Sequence, residues 1–438
     1  MGGIGRLGHV KILLVGSGAR EHAIARSLSL DPAVTELHAL PGNPGIGSLV
    51  SSTGRPTMRH TRDPLDPTDV AALAAEIGAD LVIIGPEAPL VAGVGDAVRA
   101  AGFPVFGPDA AAATLEGSKS FAKEVMAAAG VPTADPRVCR TTDELEDALD
   151  EFGSPHVVKD DGLAAGKGVV VTQDWELARA HGQGIIDAGG TVVVEEFLDG
   201  PEVSLFCLSD GKTVVPLQPA QDFKRAFDGD AGPNTGGMGA YTPLPWAPAG
   251  LVNEVVATIA QPTIDEMAKR GTPFVGVLYC GLALTSKGVR VIEFNARFGD
   301  PETQAVLCQL VTPLAGVLLA AAEGRLADAP PLEWAEGGAV TVVIAAKGYP
   351  ASPRTGDAIG GLGEVEDEPG VHVLHAGTEF SDDGALVSAG GRVLSVVGYG
   401  PSLAAARERA YRGVDYIKLD GSHHRKDIAK AVAEAGQG

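Results

Sequence analysis

Val291-Ile-Glu-Phe-Asn-Ala-Arg-Phe-Gly-Asp-Pro-Glu-Thr-Gln304 reads as a β-strand that runs into a tight turn and then a helix start. Strand side chains alternate between faces, so Glu293, Asn295 and, with the strand extended, Arg297 point one way while Ile292 and Phe294 point the other. A carboxylate, an amide oxygen and a guanidinium on one face offer hard oxygens to Mg²⁺ and a fork to phosphate oxygens. Asp300-Pro301 has the form of an N-cap followed by proline at N1, which sets the positive end of a helix beside the same spot. The triplet alone fits a wet edge strand as well as a site; the helix start aimed at it favours the site.

Outward from this stretch, the whole chain sets bounds. Its 438 residues exceed one ordinary core, so two to four domains are expected. Hydrophobic residues at 45% and charged residues at 21% are those of a soluble globular protein. A formal charge of −22 with no basic stretch argues against nucleic acid and anionic membrane as partners. The four cysteines show no CxxC or Cys/His spacing, which suits reduced thiols in the cytoplasm better than disulfides or zinc. No apolar run reaches the length of a membrane span, and residues 1–9 lack a signal-peptide core and read as a flexible extension.

Val10–Val15 is a short apolar run of the buried parallel-strand type, followed by Gly16-Ser-Gly-Ala-Arg-Glu-His22 and a helical pattern. The dinucleotide fingerprint is incomplete, since its third glycine position is Glu21. Pro41–Gly45 turns a second βα unit, Leu81–Ile84 ends in Gly85-Pro-Glu-Ala-Pro89, and Val105-Phe106 adds a short strand. The alternation predicts a Rossmann-like domain over 10–112 with its ligand at the strand C-termini. Glu87 alone fits a capping carboxylate. A helix is expected from about Leu115 to Ala129.

His156–Lys159, a loop Asp160–Gly168 and Val169–Val171 then form a strand, a Gly/Ala-rich loop and a strand with a lysine at each shoulder. The order GxxxxGK[ST] followed by a helix is absent, so this is no Walker A loop; it reads as a lid over a triphosphate. Thr191–Leu198 is a strand whose exit could read an adenine edge, with Glu202 near ribose hydroxyls; alone it fits an ordinary hairpin. Gly232–Tyr241 is too glycine-rich for helix or strand and reads as a loop that approaches a phosphate or second substrate closely. Asp222, Lys224 and Arg225 suit solvated charges or the binding of an amine and a phosphate. An amphipathic helix is expected over 252–269, a strand over 274–284 pairing with the opening stretch, and an apolar helix over 312–322. Past a boundary near residue 328, short strands and a helix from Leu403 make a small mixed domain, with His372 and His375 in structural roles.

With GSGAREHA, IGPEAPLVAG, LEGSKSFAK, DGLAAGKGVVV, EEFLDGPEVS, GPNTGGMGAYTP, VIEFNARFGDPETQ and GGRVLSVVG in this order, the chain resembles the phosphoribosylamine–glycine ligase (glycinamide ribonucleotide synthetase) family of the ATP-grasp superfamily. The resemblance runs from about Val10 to Ile428. It implies an α/β architecture: a Rossmann-like pre-ATP-grasp domain (10–112), an ATP-grasp module (113–328, lid subdomain about 132–200) and a mixed α/β C-terminal domain (329–438). It also implies ATP with Mg²⁺ or Mn²⁺ as cofactors, glycine and 5-phosphoribosylamine as substrates, and a cytoplasmic monomer or weak dimer of purine biosynthesis.

Carried over residue by residue, Lys119, Lys159 and Lys167 with Gly166 and Gly168 hold phosphates, Glu196, Phe197 and Leu198 the adenine, Glu202 the ribose, and Glu195 belongs to the same nucleotide-binding set. Glu293 and Asn295 bind the metal; Arg297, Lys159 and Asp222 are catalytic. Phosphoribosylamine and glycine fall to Gly18, Glu21, Glu87, Asp222, Lys224, Asn234, Gly236, Gly237, Arg297 and Asp300. Ala19, Asp160 and Phe223 depart from the family pattern of glycine, alanine and histidine, and the stretch from Lys167 to Glu195 is short. No acid lies on Gly276–Gly281, which leaves Glu293 and Asn295 as the protein's share of the metal. Two other readings fit parts of the pattern: a different ATP-dependent carboxylate–amine ligase, and a nucleotide-binding regulator without turnover.

Overall fold

The computed structural model describes residues 9–162 and 168–436, so Gly166, Lys167 and most of the N-terminal extension lie outside the described residues. The N-terminal part is a five-stranded parallel sheet ordered Met58–Arg59, Val34–Pro41, Val10–Gly16, Leu81–Ile84, Val105–Phe106. Val10–Gly16 and Leu81–Ile84 are almost wholly buried, as their unbroken apolar runs require. The strand order reverses on either side of Val10–Gly16, and the crevice at such a reversal is where open α/β sheets bind ligands. The turns at Gly16 and Gly85 open side by side there, with Gly85 N–H donating to Val15 O at 2.9 Å.

Beyond it lies a four-stranded antiparallel sheet ordered Val214–Pro216, Glu202–Asp210, Val275–Thr285, Gly288–Asn295. A second four-stranded sheet, ordered Pro136–Cys139, Val192–Glu195, His156–Asp160, Val169–Thr172, carries helices Thr142–Phe152 and Trp175–Asp187 and has a small core of its own around Leu145, Leu149, Val158 and Val194. It is rooted on the first sheet where Val291 N–H donates to Pro132 O (2.9 Å) and Thr133 Oγ1 to Val291 O (2.6 Å). Further contacts tie it to the neighbouring helix, where Lys119 N–H donates to Asp161 O at 3.1 Å and Ser120 N–H to the Asp161 carboxylate at 2.6 Å.

Five details differ from the sequence reading. The strand Gly288–Asn295 contains a bulge: Gly281 faces Glu293 and Leu282 faces Val291, leaving Ile292 as the extra residue. Val291 and Phe294 therefore share the core, and Ile292 is not Phe294's partner. The strand ends at Asn295, so Arg297 sits in the turn rather than on the strand face. The helix that follows starts at Glu302 with Pro301 at its N-cap, and Asp300 makes contacts of its own instead of capping. Gly232–Tyr241 is not a free loop, since Ala231–Asn234 and Gly239–Thr242 are strands. The helix expected from Leu115 is two: Ala110–Gly117, then Lys119–Ala129 capped by the Ser118 hydroxyl, which accepts from Phe121 N–H at 3.2 Å.

The last five-stranded sheet is ordered Gln221–Asp222, Gly239–Thr242, Gly338–Ala345, Arg392–Gly400, Val371–His375. It draws strands from both sides of residue 328, so the C-terminal part is sewn directly to the segment that carries Asp222 and Asn234. The N-terminal helix Ala19–Ser29 also packs here: the His375 N–H donates to His22 Nδ1 at 2.8 Å.

Candidate functional site

The site grows from the turn after Asn295. Glu293 and Asn295 are half-buried, and among the described residues no hydrogen bond or ion pair engages either side chain. Burial pushes the Glu293 carboxyl up, but Lys224, Lys159, Lys119 and Arg297 outweigh it and hold it below the usual range. Four cations thus surround one ionised carboxylate that has no protein partner. That donor set fits a divalent metal with phosphate oxygens as its other ligands. No cluster of three or more His, Cys, Asp or Glu among the described residues could hold a metal alone, so the two-ligand reading stands on this pair.

Lysines approach from the lid sheet and from the helix Lys119–Ala129. Lys159, on the strand His156–Asp160, lies 2.8 Å from Glu195 and donates to Ile292 O, at the bulge, at 3.2 Å. Glu195 is also 3.2 Å from Lys123, whose ammonium is pushed down to about 8 by burial. Glu195 is therefore the anion that holds two buried lysines, one on each carboxylate oxygen. Lys119 donates to Gly162 O at 2.9 Å; burial lowers its pKa and Lys159 adds to this. Gly168 is buried, and its carbonyl accepts from Asp160 N–H at 2.8 Å.

At the lid's edge, Glu196 is paired with Arg290 (3.2 Å) and Lys287 (3.3 Å). Phe197 is exposed and Leu198 half-buried; with Glu196, Ser286 and Arg290 they line a shallow pocket. Glu202 is 2.6 Å from Lys224. Asp222 lies behind them, raised to about 7 by burial and the nearby Glu302 and Glu202, although Lys224 pulls the other way. Solvent still reaches 36% of the Lys224 side chain, so this attraction is screened.

Arg297 is gripped from two sides, by Glu87 Oε2 at 3.2 Å and Glu116 Oε1 at 3.0 Å, while Ala296 N–H donates to the other Glu116 oxygen at 2.7 Å. Burial raises the Glu116 pKa, and Arg297 opposes it. Asp300 accepts from Gln304 (2.7 Å) and from Arg20 N–H (3.3 Å) and lies 3.2 Å from Arg392. Burial would raise its pKa, but Arg392 and Arg20 hold it down. Arg392 also donates to Gly236 O at 2.8 Å and Asp300 O at 2.9 Å, clasping the glycine turn against the turn after the strand. Asn234 precedes this clasp and is half-buried.

Gly18 opens the helix Ala19–Ser29, and its N–H donates to Glu21 Oε2 at 2.6 Å; the other Glu21 oxygen accepts from Arg20 at 2.5 Å. Glu21 is 1% exposed and both its oxygens are committed, so it builds the turn as a capping-box carboxylate and does not face substrate. Glu116, Glu302, Tyr279, Arg20 and Arg392 escaped the sequence reading. Each acts across a long separation, as Arg392 does on Gly236, and no local pattern marks such pairs.

Three family models cover most of the chain: the N domain of phosphoribosylglycinamide synthetase over residues 10–116, its ATP-grasp (A) domain over 117–303 and its C domain over 339–431. The phosphoribosylamine–glycine ligase of Streptomyces coelicolor is 64% identical over 97% of this chain and 100% of its own length. That of Mycobacterium tuberculosis is 55% identical over 97% of this chain and 99% of its own. The crystal structure of the Thermotoga maritima phosphoribosylamine–glycine ligase superposes with a TM-score of 0.81 at 33% identity, covering 96% of this chain and 100% of that one. A Campylobacter jejuni biotin carboxylase, at 14% identity and TM-score 0.70 over 97% of this chain and 95% of its own, shares the fold.

Proposed function

Because the chain belongs to the phosphoribosylglycinamide synthetase family, we propose that it ligates glycine to 5-phosphoribosylamine at the expense of ATP, in purine biosynthesis. The observation that supports this reading most is the unpartnered Glu293 carboxylate ringed by Lys119, Lys159, Lys224 and Arg297. Glu293 and Asn295 would hold a Mg²⁺ or Mn²⁺, which would supply charge neutralisation for the phosphates.

The chain's residues do the rest by position and charge. Lys119 and Lys159 hold the triphosphate, and the backbone N–H groups of Phe197 and Leu198, unengaged among the described residues, suit the adenine edge. A glycine carboxylate oxygen attacks the γ-phosphorus and ADP departs, leaving glycyl phosphate. The nitrogen of phosphoribosylamine then attacks the acyl carbon and phosphate leaves. Arg297, fixed by Glu87 and Glu116, neutralises the acyl phosphate. Asp222, with a pKa of about 7, takes the proton that the amine loses. Closing the lid keeps water from the acyl phosphate. Gly18, Glu87, Asn234, Gly236, Gly237 and Asp300 form the phosphoribosylamine wall, beside Lys224.

No helix among the described residues is long and apolar enough to cross a membrane, and the four cysteines are free, which suits the cytoplasm. Glu293→Ala tests the reading: ADP release should fall at least ~10³-fold, with metal-dependent nucleotide binding lost and the folded fraction unchanged. Undiminished turnover would remove Glu293 from the metal.

A further inference from the structure

We infer that Arg425 is a positioning residue that clamps the substrate-binding hairpin onto the C-terminal segment and so sets the affinity for phosphoribosylamine. The inference rests on the reading above that Asp222, Lys224 and Asn234 face substrate. Asp222 and Lys224 precede, and Asn234 ends, a two-stranded hairpin, Arg225–Phe227 paired with Ala231–Asn234, that forms a sheet of its own. A two-stranded hairpin is marginal on its own. Its tip also holds Asp230 at φ 52°, a left-handed conformation that a side chain adopts at a cost. Something else must hold it in place.

That hold is the segment Arg425–Asp427. Arg425 is 1% exposed, among the largest fully buried side chains of the molecule, yet 1% exposure for a guanidinium needs full compensation. It has it: both Asp427 oxygens accept from its fork at 2.7 Å, Asp230 accepts at 2.7 Å, and the Arg225 carbonyl at 3.3 Å. Its Cζ lies 4.9 Å from the centre of the Phe223 ring, the residue between Asp222 and Lys224. Backbone bonds follow the same route, from Gly229 N–H to Asp427 (2.9 Å) and from Lys426 N–H to Asp228 (2.7 Å). The segment is fixed from behind by the Tyr411 hydroxyl on Arg425 O at 2.7 Å and by Arg407 on Ile428 O at 2.9 Å. One buried guanidinium thus joins the hairpin's tip, its first strand and the aromatic ring beside the two charged site residues. Lysine cannot replace it, because a point charge does not make the fork.

Arg425→Lys is measured for KM of each substrate and kcat, with amide exchange across residues 223–237. The expected result is a KM for phosphoribosylamine raised at least ~10-fold, a KM for ATP within ~2-fold of the parent, and at least ~10-fold faster exchange in the hairpin alone. Arg425→Ala should behave the same way and recover when millimolar guanidinium is supplied. Should either variant fail to fold, Asp230→Gly, which removes an exposed anchor at a φ that glycine accepts, gives the same pattern more weakly. A KM for phosphoribosylamine unchanged in a folded variant, or a KM for ATP rising in step, overturns the inference. Exchange needs no turnover, so if the parent proves inactive on these substrates the functional reading fails, while unaltered hairpin exchange would still sink the clamp.

Discussion

Gly237→Ala places a methyl group where the site has no room. Gly237 has φ 116°, and a Cβ built there would lie 2.4 Å from Pro301 Cδ and 3.3 Å from Asp300 O. Ordinary contact begins at 3.4 Å, so the glycine turn and the Asp300–Pro301 turn must separate by about 1 Å. Neither side yields easily. Arg392 holds Asp300 and Gly236 together, and the neighbouring Glu302, 3% exposed, accepts from Ser204 and Tyr279 at 3.0 Å each. A misplacement of ~1 Å costs on the order of 10²-fold in rate, or about 2.7 kcal/mol of barrier. The strained φ adds roughly 1–3 kcal/mol of lost stability. The assay is steady-state ADP release with each substrate varied in turn, beside urea unfolding. kcat/KM for glycine and phosphoribosylamine should fall ~10²-fold while KM for ATP moves less than ~3-fold, since the clash lies on the substrate wall. A folded Gly237→Ala protein with parental kcat/KM would refute the claim that this contact sets the site's geometry.

Two further outcomes follow from buried charge. Glu195→Leu leaves the ammonium groups of Lys123 and Lys159 without their shared anion, and urea unfolding should show a loss of about 3–5 kcal/mol; a loss below ~1 kcal/mol would mean that the lysines are not held as described. His22, His372 and His375 are kept neutral by burial, with Arg26 opposing a charge on the first two, and His375 is pushed down to about 4. Their folded pKa values lie below the unfolded 6.5, so the stability they contribute is present above pH 6.5 and drains as pH falls toward 4, by roughly 3 kcal/mol for His375 alone. Urea midpoints between pH 7.5 and 4.5 measure this, and His375→Gln should flatten the slope; an unchanged slope contradicts it.

Much of the fold could be read from local pattern. Val10–Gly16 and Leu81–Ile84 are apolar runs closed by glycine, and no other arrangement buries both faces of such strands as well as a parallel sheet. The pairing of Val275–Thr285 with the opening strand was likewise readable from its length and turn. The bulge at Ile292 was not, because one extra residue changes which side chains share a face without leaving a mark in composition. Gly239–Thr242 defied the glycine rule since its partner strand, Gly338–Ala345, lies about a hundred residues away and supplies the order that the sequence lacks locally. The site divides the same way. Glu293, Asn295 and Lys159, the residues proposed for metal and phosphate, do stand on the strands that the sequence pattern indicates. Glu116, Arg392 and Arg425 act from afar, and the partners of Glu195, Glu196 and Glu21, two lysines, an arginine with a lysine, and the Gly18 N–H, leave no mark in the local pattern.

The most direct test of the central claim is ADP release from the purified protein with ATP, Mg²⁺, glycine and phosphoribosylamine generated in situ, each omitted in turn. The account predicts sustained release only when both glycine and phosphoribosylamine are present, with one glycinamide ribonucleotide formed per ADP by mass spectrometry. Release that proceeds without phosphoribosylamine, or only with another acid and amine, would contradict it.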